Sequence, residues 1–318
     1  MFLGRRLILG RFDLQLTDAL VLFALLFFSL LGLLFAVDGW QVLILKNIGV
    51  AIVFLGAVYV TPRIRHRIGR FFVRVAAITL SYAYLFGAVA PLQHIVSSEW
   101  MDPYVLDLEQ YVFGVQPTLW LEKFTTPWLT EWMMFSYVIY VPLYPLLCGI
   151  IYFTRGELPM EEYFFALGLT NILCDIGFIL FPVASPLYFI PEVYSVPLDG
   201  YVFTTLGELM RSQLHYAGGS IPSPHAAAAT IMWVMAYRYH RPSFHVLTPI
   251  VVSLYLSTFY GRYHYLTDAV VGILVAFLAL VLARHLMRAW DRFVEKGIIG
   301  RMAFAREKTE HSVRKQAG

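Results

Sequence analysis

Eight predominantly apolar runs divide the chain, at about Asp18–Val37, Val42–Val60, Phe71–Val96, Trp128–Phe153, Glu161–Pro182, His225–Tyr239, Phe244–Tyr260 and Leu266–Met287. A membrane helix needs roughly 20 such residues, and the pattern predicts a helix in each. The sixth run is short, and only Arg241-Pro242-Ser243 parts it from the seventh, which predicts a tight helical hairpin. The polar stretch Val183–Pro224 is about 40 residues long, and stretches of that length are functional or partly structured. Within it Leu206–Tyr216 predicts a short helix at the membrane interface, followed by Gly218 and Gly219. The chain shows no internal repeat and no low-complexity segment.

Composition agrees with the pattern. The 318 residues are 59% hydrophobic and 14% charged, with a mean hydropathy of +0.65, far from the profile of a soluble domain. The fold class expected is an all-α bundle of about eight transmembrane helices. Twenty-five Phe and twenty Tyr suit lipid-facing and interfacial positions. Cys148 and Cys174 lie in apolar runs and read as packing residues. Arg5, Arg6 and Arg11 precede the first run with no small-residue cleavage site after it, so a retained helix is expected there.

Charge sets the orientation. Arg63, Arg65, Arg67, Arg70 and Arg74 crowd the segment after the second run, which the positive-inside rule assigns to the cytoplasm. Counting spans from there, Arg155, Arg238, Arg241 and the basic tail from Arg284 also fall inside. The acidic segment Ser97–Pro127, the stretch Val183–Pro224 and the turn around His264 fall on the other side. The division expected is an N-terminal helix pair (1–70), a catalytic membrane domain (71–290) and a basic cytoplasmic tail (291–318), helical and then disordered.

The candidate chemistry gathers on that other side. His264 and Asp268 are four residues apart at the head of the last run, a spacing that sets imidazole and carboxylate on one face of a helix turn. A carboxylate that holds one ring N–H leaves the second nitrogen free to attack. Arg262 nearby suits a phosphate. His225 stands in Ile221-Pro222-Ser223-Pro224-His225, where Ser223 suits an N-cap and Pro224 the first helical position. Such a helix start offers free N–H groups to an anion, Gly219 lets the backbone come close, and His225 is placed as general acid and base. Asp175 and Asn171, four apart on the fifth helix, are further candidates, since a carboxylate inside a membrane is a functional candidate by default. Asp107, Glu109 and Glu122 match no metal-site spacing. The expectation is no metal, no cofactor and no nucleic acid.

Two segments carry a resemblance. Pro222-Ser223-Pro224-His225 and Gly261-Arg262-Tyr263-His264-Tyr265-Leu266-Thr267-Asp268 resemble the second and third signatures of the type 2 phosphatidic acid phosphatase superfamily. The tight Arg-Tyr-His-Tyr-x-x-Asp form is similar to the branch of fungal inositol phosphorylceramide synthase and its bacterial inositolphosphotransferase-like relatives. Phe113-Gly114-Val115-Gln116-Pro117-Thr118 and Leu180-Phe181-Pro182-Val183-Ala184-Ser185-Pro186-Leu187-Tyr188 resemble further segments of that branch. The resemblance implies His264 as nucleophile, Asp268 as its partner, His225 as acid/base, and Arg262 and Ser223 as phosphate contacts. The superfamily's first signature, a lysine and a paired Arg-Pro, has no counterpart before Ser223.

The activity expected is transfer of a phospho-head group, phosphoinositol by the resemblance, from a phospholipid donor to a lipid alcohol. The site would face the periplasm or exterior of a bacterial plasma membrane. A lipid phosphate or polyprenyl diphosphate phosphatase is the alternative within the same chemistry. A transporter or scramblase and an inactive scaffold are the alternatives outside it.

Overall fold

The computed structural model describes residues 4, 6–9, 11–214 and 216–316, with side chains described as far as Gly297 except at 213 and 214. Each of the eight apolar runs is a helix: α1 (Leu16–Leu34), α2 (Trp40–Val60), α3 (Arg67–Ala88), α6 (Pro127–Arg155), α7 (Glu157–Leu180), α10 (Pro224–Tyr239), α11 (Arg241–Tyr260) and α12 (Leu266–Gln316). Between them lie α4 (Asp102–Phe113), α5 (Pro117–Leu121), α8 (Pro186–Phe189) and α9 (Val202–Leu214). The strands β1 (Leu7–Leu9) and β2 (Phe12–Leu14) form an antiparallel hairpin ahead of α1, which the apolar pattern does not announce.

Among the described residues seven helices are long and apolar enough to cross a membrane. The eighth, α10, has 16 residues, a rise of about 24 Å against a hydrocarbon core of roughly 30 Å. It starts below the surface, from the buried segment 219–223. Ser223 caps it by accepting the Ala226 N–H at 3.3 Å, with Pro224 next in the chain. Ala226 to Ala229 are wholly buried. Their small side chains let α10 pack closely among α7, α11 and α12. The expected hairpin is tighter than anticipated: His240 alone joins α10 to α11, and its ring accepts the Ser243 N–H at 3.2 Å.

The helices alternate in direction, so two opposite ends form. At the arginine-rich end, a cavity of about 240 Å³ brings the start of α1 (Asp18), the end of α2 (Val58), the start of α3 (Arg70, Arg74), the end of α6 (Tyr152) and the start of α7 (Glu157) together under the β hairpin. The end of α10 joins them, for Arg238 pairs with Glu162. His225 and His264 lie at the other end. One expectation is corrected: the tail is not disordered over the described backbone, because α12 continues to Gln316. The sequence after Gly300 has no Gly or Pro before Ala317 and is rich in Ala, Arg, Glu and Lys, all strong helix formers.

Candidate active site

The site is built from three chain segments that meet at the histidine end: the buried approach to α10, the turn between α11 and α12, and the middle of α6. The turn forms because Arg262 adopts φ +63° and the His264 N–H returns to the Thr258 carbonyl at 3.0 Å. His264 therefore sits two residues before α12, not on a helical turn as the spacing suggests. Asp268, in the first turn of α12, accepts the Tyr265 N–H through Oδ2 at 2.9 Å. Its carboxylate thus caps the helix.

That capping shifts the expected histidine–aspartate contact. His264 Nδ1 lies 3.6 Å from Asp268 Oδ2, beyond a hydrogen bond. Ser220 stands between them. Its carbonyl oxygen lies 2.9 Å from His264 Nδ1, and its hydroxyl donates to Asp268 Oδ2 at 2.5 Å. A carbonyl only accepts, so in the neutral ring the proton is on Nδ1 and Nε2 carries the lone pair. This is the tautomer a nucleophile needs. Nε2 in turn lies 3.3 Å from Nδ1 of His225, which donates to it.

His225 is held by rings. It stacks on Tyr137 of α6 at 4.6 Å, and Tyr137 stacks on Tyr263 at 4.5 Å. Tyr140 lies tilted at 5.1 Å on His225. The backbone fixes the separation of the two histidines. The Ser223 N–H donates to the Asp268 carbonyl at 2.9 Å. A Cβ on Gly272 would fall 2.4 Å from the Ser223 carbonyl oxygen, and one on Gly177 would fall 2.2 Å from Pro222 Cδ. Both helices accept the approach to α10 only because these positions carry no side chain.

Helix α4 braces the turn from outside. Asp102 accepts the Ala184 and Ser185 N–H groups at 2.7 and 3.1 Å and the Tyr265 hydroxyl at 2.9 Å. Burial pushes its carboxyl above the ordinary range. Glu109 accepts the Thr267 N–H at 2.8 Å and the Thr267 hydroxyl at 3.1 Å through Oε1. Its Oε2 is buried without a partner among the described residues, as is Asp268 Oδ1. Burial pushes Glu109 up to about 7.

The remaining candidates are placed elsewhere. Arg262 donates to Glu122 at 2.9 Å and to the Val196 carbonyl, and lies 4.1 Å over the Tyr194 ring. It is engaged away from the histidine pair. Gly219 gives its N–H to Gln93 at 2.8 Å, and Ser223 gives its hydroxyl oxygen to the α10 cap, so neither offers the free group expected for phosphate. Asp175 and Asn171 share the face of α7 that meets α3, where Phe178 packs edge-on against Phe86 and Gly168 faces Tyr82. Gly177, against Pro222, is on another face, and no contact among the described residues joins Asp175 or Asn171 to the histidines. Ser220, Tyr137 and Asp102 escape a sequence reading. Their partners lie 44 to 163 positions away, and only the glycine pair before Ser220 hints at a tight backbone.

A histidine pair with one fixed tautomer, at the head of buried helices, coincides with a family match. The model of the PAP2 superfamily matches residues 103–282, more than half of the chain. The chain belongs to the PAP2 superfamily. This is a superfamily of membrane lipid phosphatases and phosphotransferases, and both histidines of this PAP2 protein fall inside the match. Among solved structures, the protein is similar to the transmembrane PAP2-type phosphatidylglycerolphosphate phosphatase from Bacillus subtilis. The identity is 17% and the TM-score 0.36, over 68% of this chain and 96% of that one. No curated protein matches this PAP2 chain.

Proposed function

We propose that the protein is a phospholipid phosphotransferase working through a phosphohistidine, with its site on the non-cytoplasmic side. The observation that carries the reading is the His264 geometry: Nδ1 faces the Ser220 carbonyl at 2.9 Å and Nε2 faces His225 at 3.3 Å. A phosphate entering the site parts the two rings. Nε2 attacks phosphorus and forms an N–P bond, the P–O bond to the glycerolipid breaks, and His225 delivers a proton to the departing oxygen. An acceptor hydroxyl then attacks phosphorus, His225 takes its proton, and the N–P bond breaks. Asp268, through Ser220, stabilises the positive charge that His264 gains on attack.

Charge supports a diester donor. In the segments 97–127, 183–224 and 261–265 the lysines and arginines are Lys123, Arg211 and Arg262, and Arg262 is engaged with Glu122. A phosphate monoester carries about −1.5 to −2 at neutral pH, whereas a diester carries a single charge. Few cations suit the latter. The phosphoinositol head group rests on the resemblance of the Arg-Tyr-His-Tyr-x-x-Asp segment.

Purified protein offered phosphatidylinositol, phosphatidic acid or a polyprenyl diphosphate, each with and without a lipid alcohol, tests the proposal. A new phosphodiester lipid plus diacylglycerol, absent with His264→Gln, is the expected product by mass spectrometry. Inorganic phosphate as the sole His264-dependent product makes the protein a phosphatase instead. No His264-dependent product from any donor overturns the reading.

A further inference from the structure

Helix α9 has two sides of opposite character. One packs on α6: Phe203 meets Phe135 edge-on at 4.9 Å, Tyr201 lies 5.2 Å from Trp128, and the Cβ position of Gly207 lies 3.4 Å from Met134 and 3.7 Å from Val138. Glu131 of α6 pins the start of α9. It accepts the N–H groups of Tyr201, Phe203 and Thr204 at 2.7, 2.7 and 3.2 Å, and the Thr204 hydroxyl at 3.0 Å. Successive residues of α9 meet successively later residues of α6. It therefore descends beside α6 from the histidine end, reaching roughly 10–16 Å along that helix by Gly207. The side turned away from α6 carries Val202, Leu206 and Leu209, all exposed, at the i, i+4, i+7 spacing of one helical stripe.

Arg211 lies near the far end of α9. It pairs with Glu208 at 2.8 Å and hydrogen-bonds Tyr188. The charges of Glu208 and Arg211 both act on the Tyr263 hydroxyl. Tyr263 is the outer ring of the stack that runs through Tyr137 to His225. A cation, an apolar stripe at the depth where headgroups meet acyl chains and the ring stack of the site thus form one continuous surface.

We propose that α9 is the docking element for the donor phospholipid of the leaflet on the histidine side. The acyl chains lie along Val202, Leu206 and Leu209, and Arg211 exchanges Glu208 for the lipid phosphate. One cation matches one phosphodiester charge. A phospholipid is favoured over a protein partner because the stripe descends beside a membrane-spanning helix, where lipid is the solvent. The proposal rests on the phosphotransferase reading for its substrate, and its test separates the two.

Two measurements on the full chain decide it. In nanodiscs with a rising mole fraction of phosphatidylinositol, Arg211→Gln raises KM about tenfold or more, with a smaller change in kcat, and Arg211→Lys recovers part of the loss. Leu206→Ser with Leu209→Ser raises KM more for a long-chain donor than for its dihexanoyl form. Separately, native mass spectrometry counts phosphatidylinositol and phosphatidylcholine retained by His264→Gln protein, where turnover plays no part. Retention favours phosphatidylinositol, and adding Arg211→Gln removes the preference. An unchanged KM, a loss confined to kcat, or retention independent of Arg211 overturns the docking role while leaving the phosphohistidine chemistry standing. Arg211-dependent retention in a protein that turns over no donor keeps the docking role and sinks the transferase.

Discussion

Two buried polar clusters sit at opposite ends of the bundle, and their difference separates scaffold from site. At the arginine-rich end Arg74 donates to both Glu161 oxygens, each at 2.9 Å, and to Gln15 at 3.0 Å, and pairs with Asp18. Thr17 donates to Glu161 at 3.0 Å. Each carboxylate there is answered by the arginine and by a second donor, as a buried ion cluster requires. At the histidine end two carboxylate oxygens, Asp268 Oδ1 and Glu109 Oε2, are buried without a partner among the described residues. A saturated cluster holds one conformation, whereas an unsaturated one retains capacity for a proton, a water molecule or a substrate atom.

Substitutions that cross the two ends test this contrast. The largest effect expected is on turnover: His264→Gln lowers kcat on the order of 10⁴-fold or more, as loss of a nucleophile does, with Tm in detergent unchanged. Arg74→Leu does the reverse. It strands two buried carboxylates, costs about 3–5 kcal/mol and lowers Tm sharply, while the fraction that stays folded keeps its KM. If Arg74→Leu leaves Tm in place, the cluster is no scaffold. Next is Ser220→Ala, which removes the hydroxyl bond to Asp268 and keeps the carbonyl contact to His264. A bond to a charged group contributes roughly 1.5–3 kcal/mol, so kcat is expected to fall about 10- to 100-fold with little change in KM. An unaltered kcat would remove Ser220 from the machinery.

The smallest effect is a pH dependence of stability. The Glu109 carboxyl is raised from 4.5 to about 7, so the native state holds its proton more tightly than the unfolded chain. Its contribution is full below pH 4.5 and declines as pH rises to about 7. Glu109→Gln keeps an oxygen for Thr267 and cannot ionise. Melting curves of the variant between those pH values should fall less steeply than the wild type's, and parallel curves would contradict the burial of this carboxyl.

Legibility in the sequence follows the same division. The eight helices were readable because long apolar runs in a membrane have few alternatives to a helix. The acidic segment after α3 was not, since α4 and α5 hold their places through Asp102 and Glu109 contacts to residues far along the chain. His225, His264 and Asp268 were legible as types at spacings, and the structure brings them together. Arg262 was legible as a cation but not as the partner of Glu122, 140 positions away. Ser220 was invisible because its role comes from a backbone carbonyl, which every residue has.

The glycine contacts give the protein an evolutionary freedom. The gap between the two imidazoles is gauged by the thickness of a peptide group lying on Gly272 and of a proline ring lying on Gly177. No lipid-facing side chain takes part in that gauge. The outer surface of the bundle is therefore free to drift, adapting to thinner, thicker or differently charged bilayers, while the reactive nitrogens keep their separation.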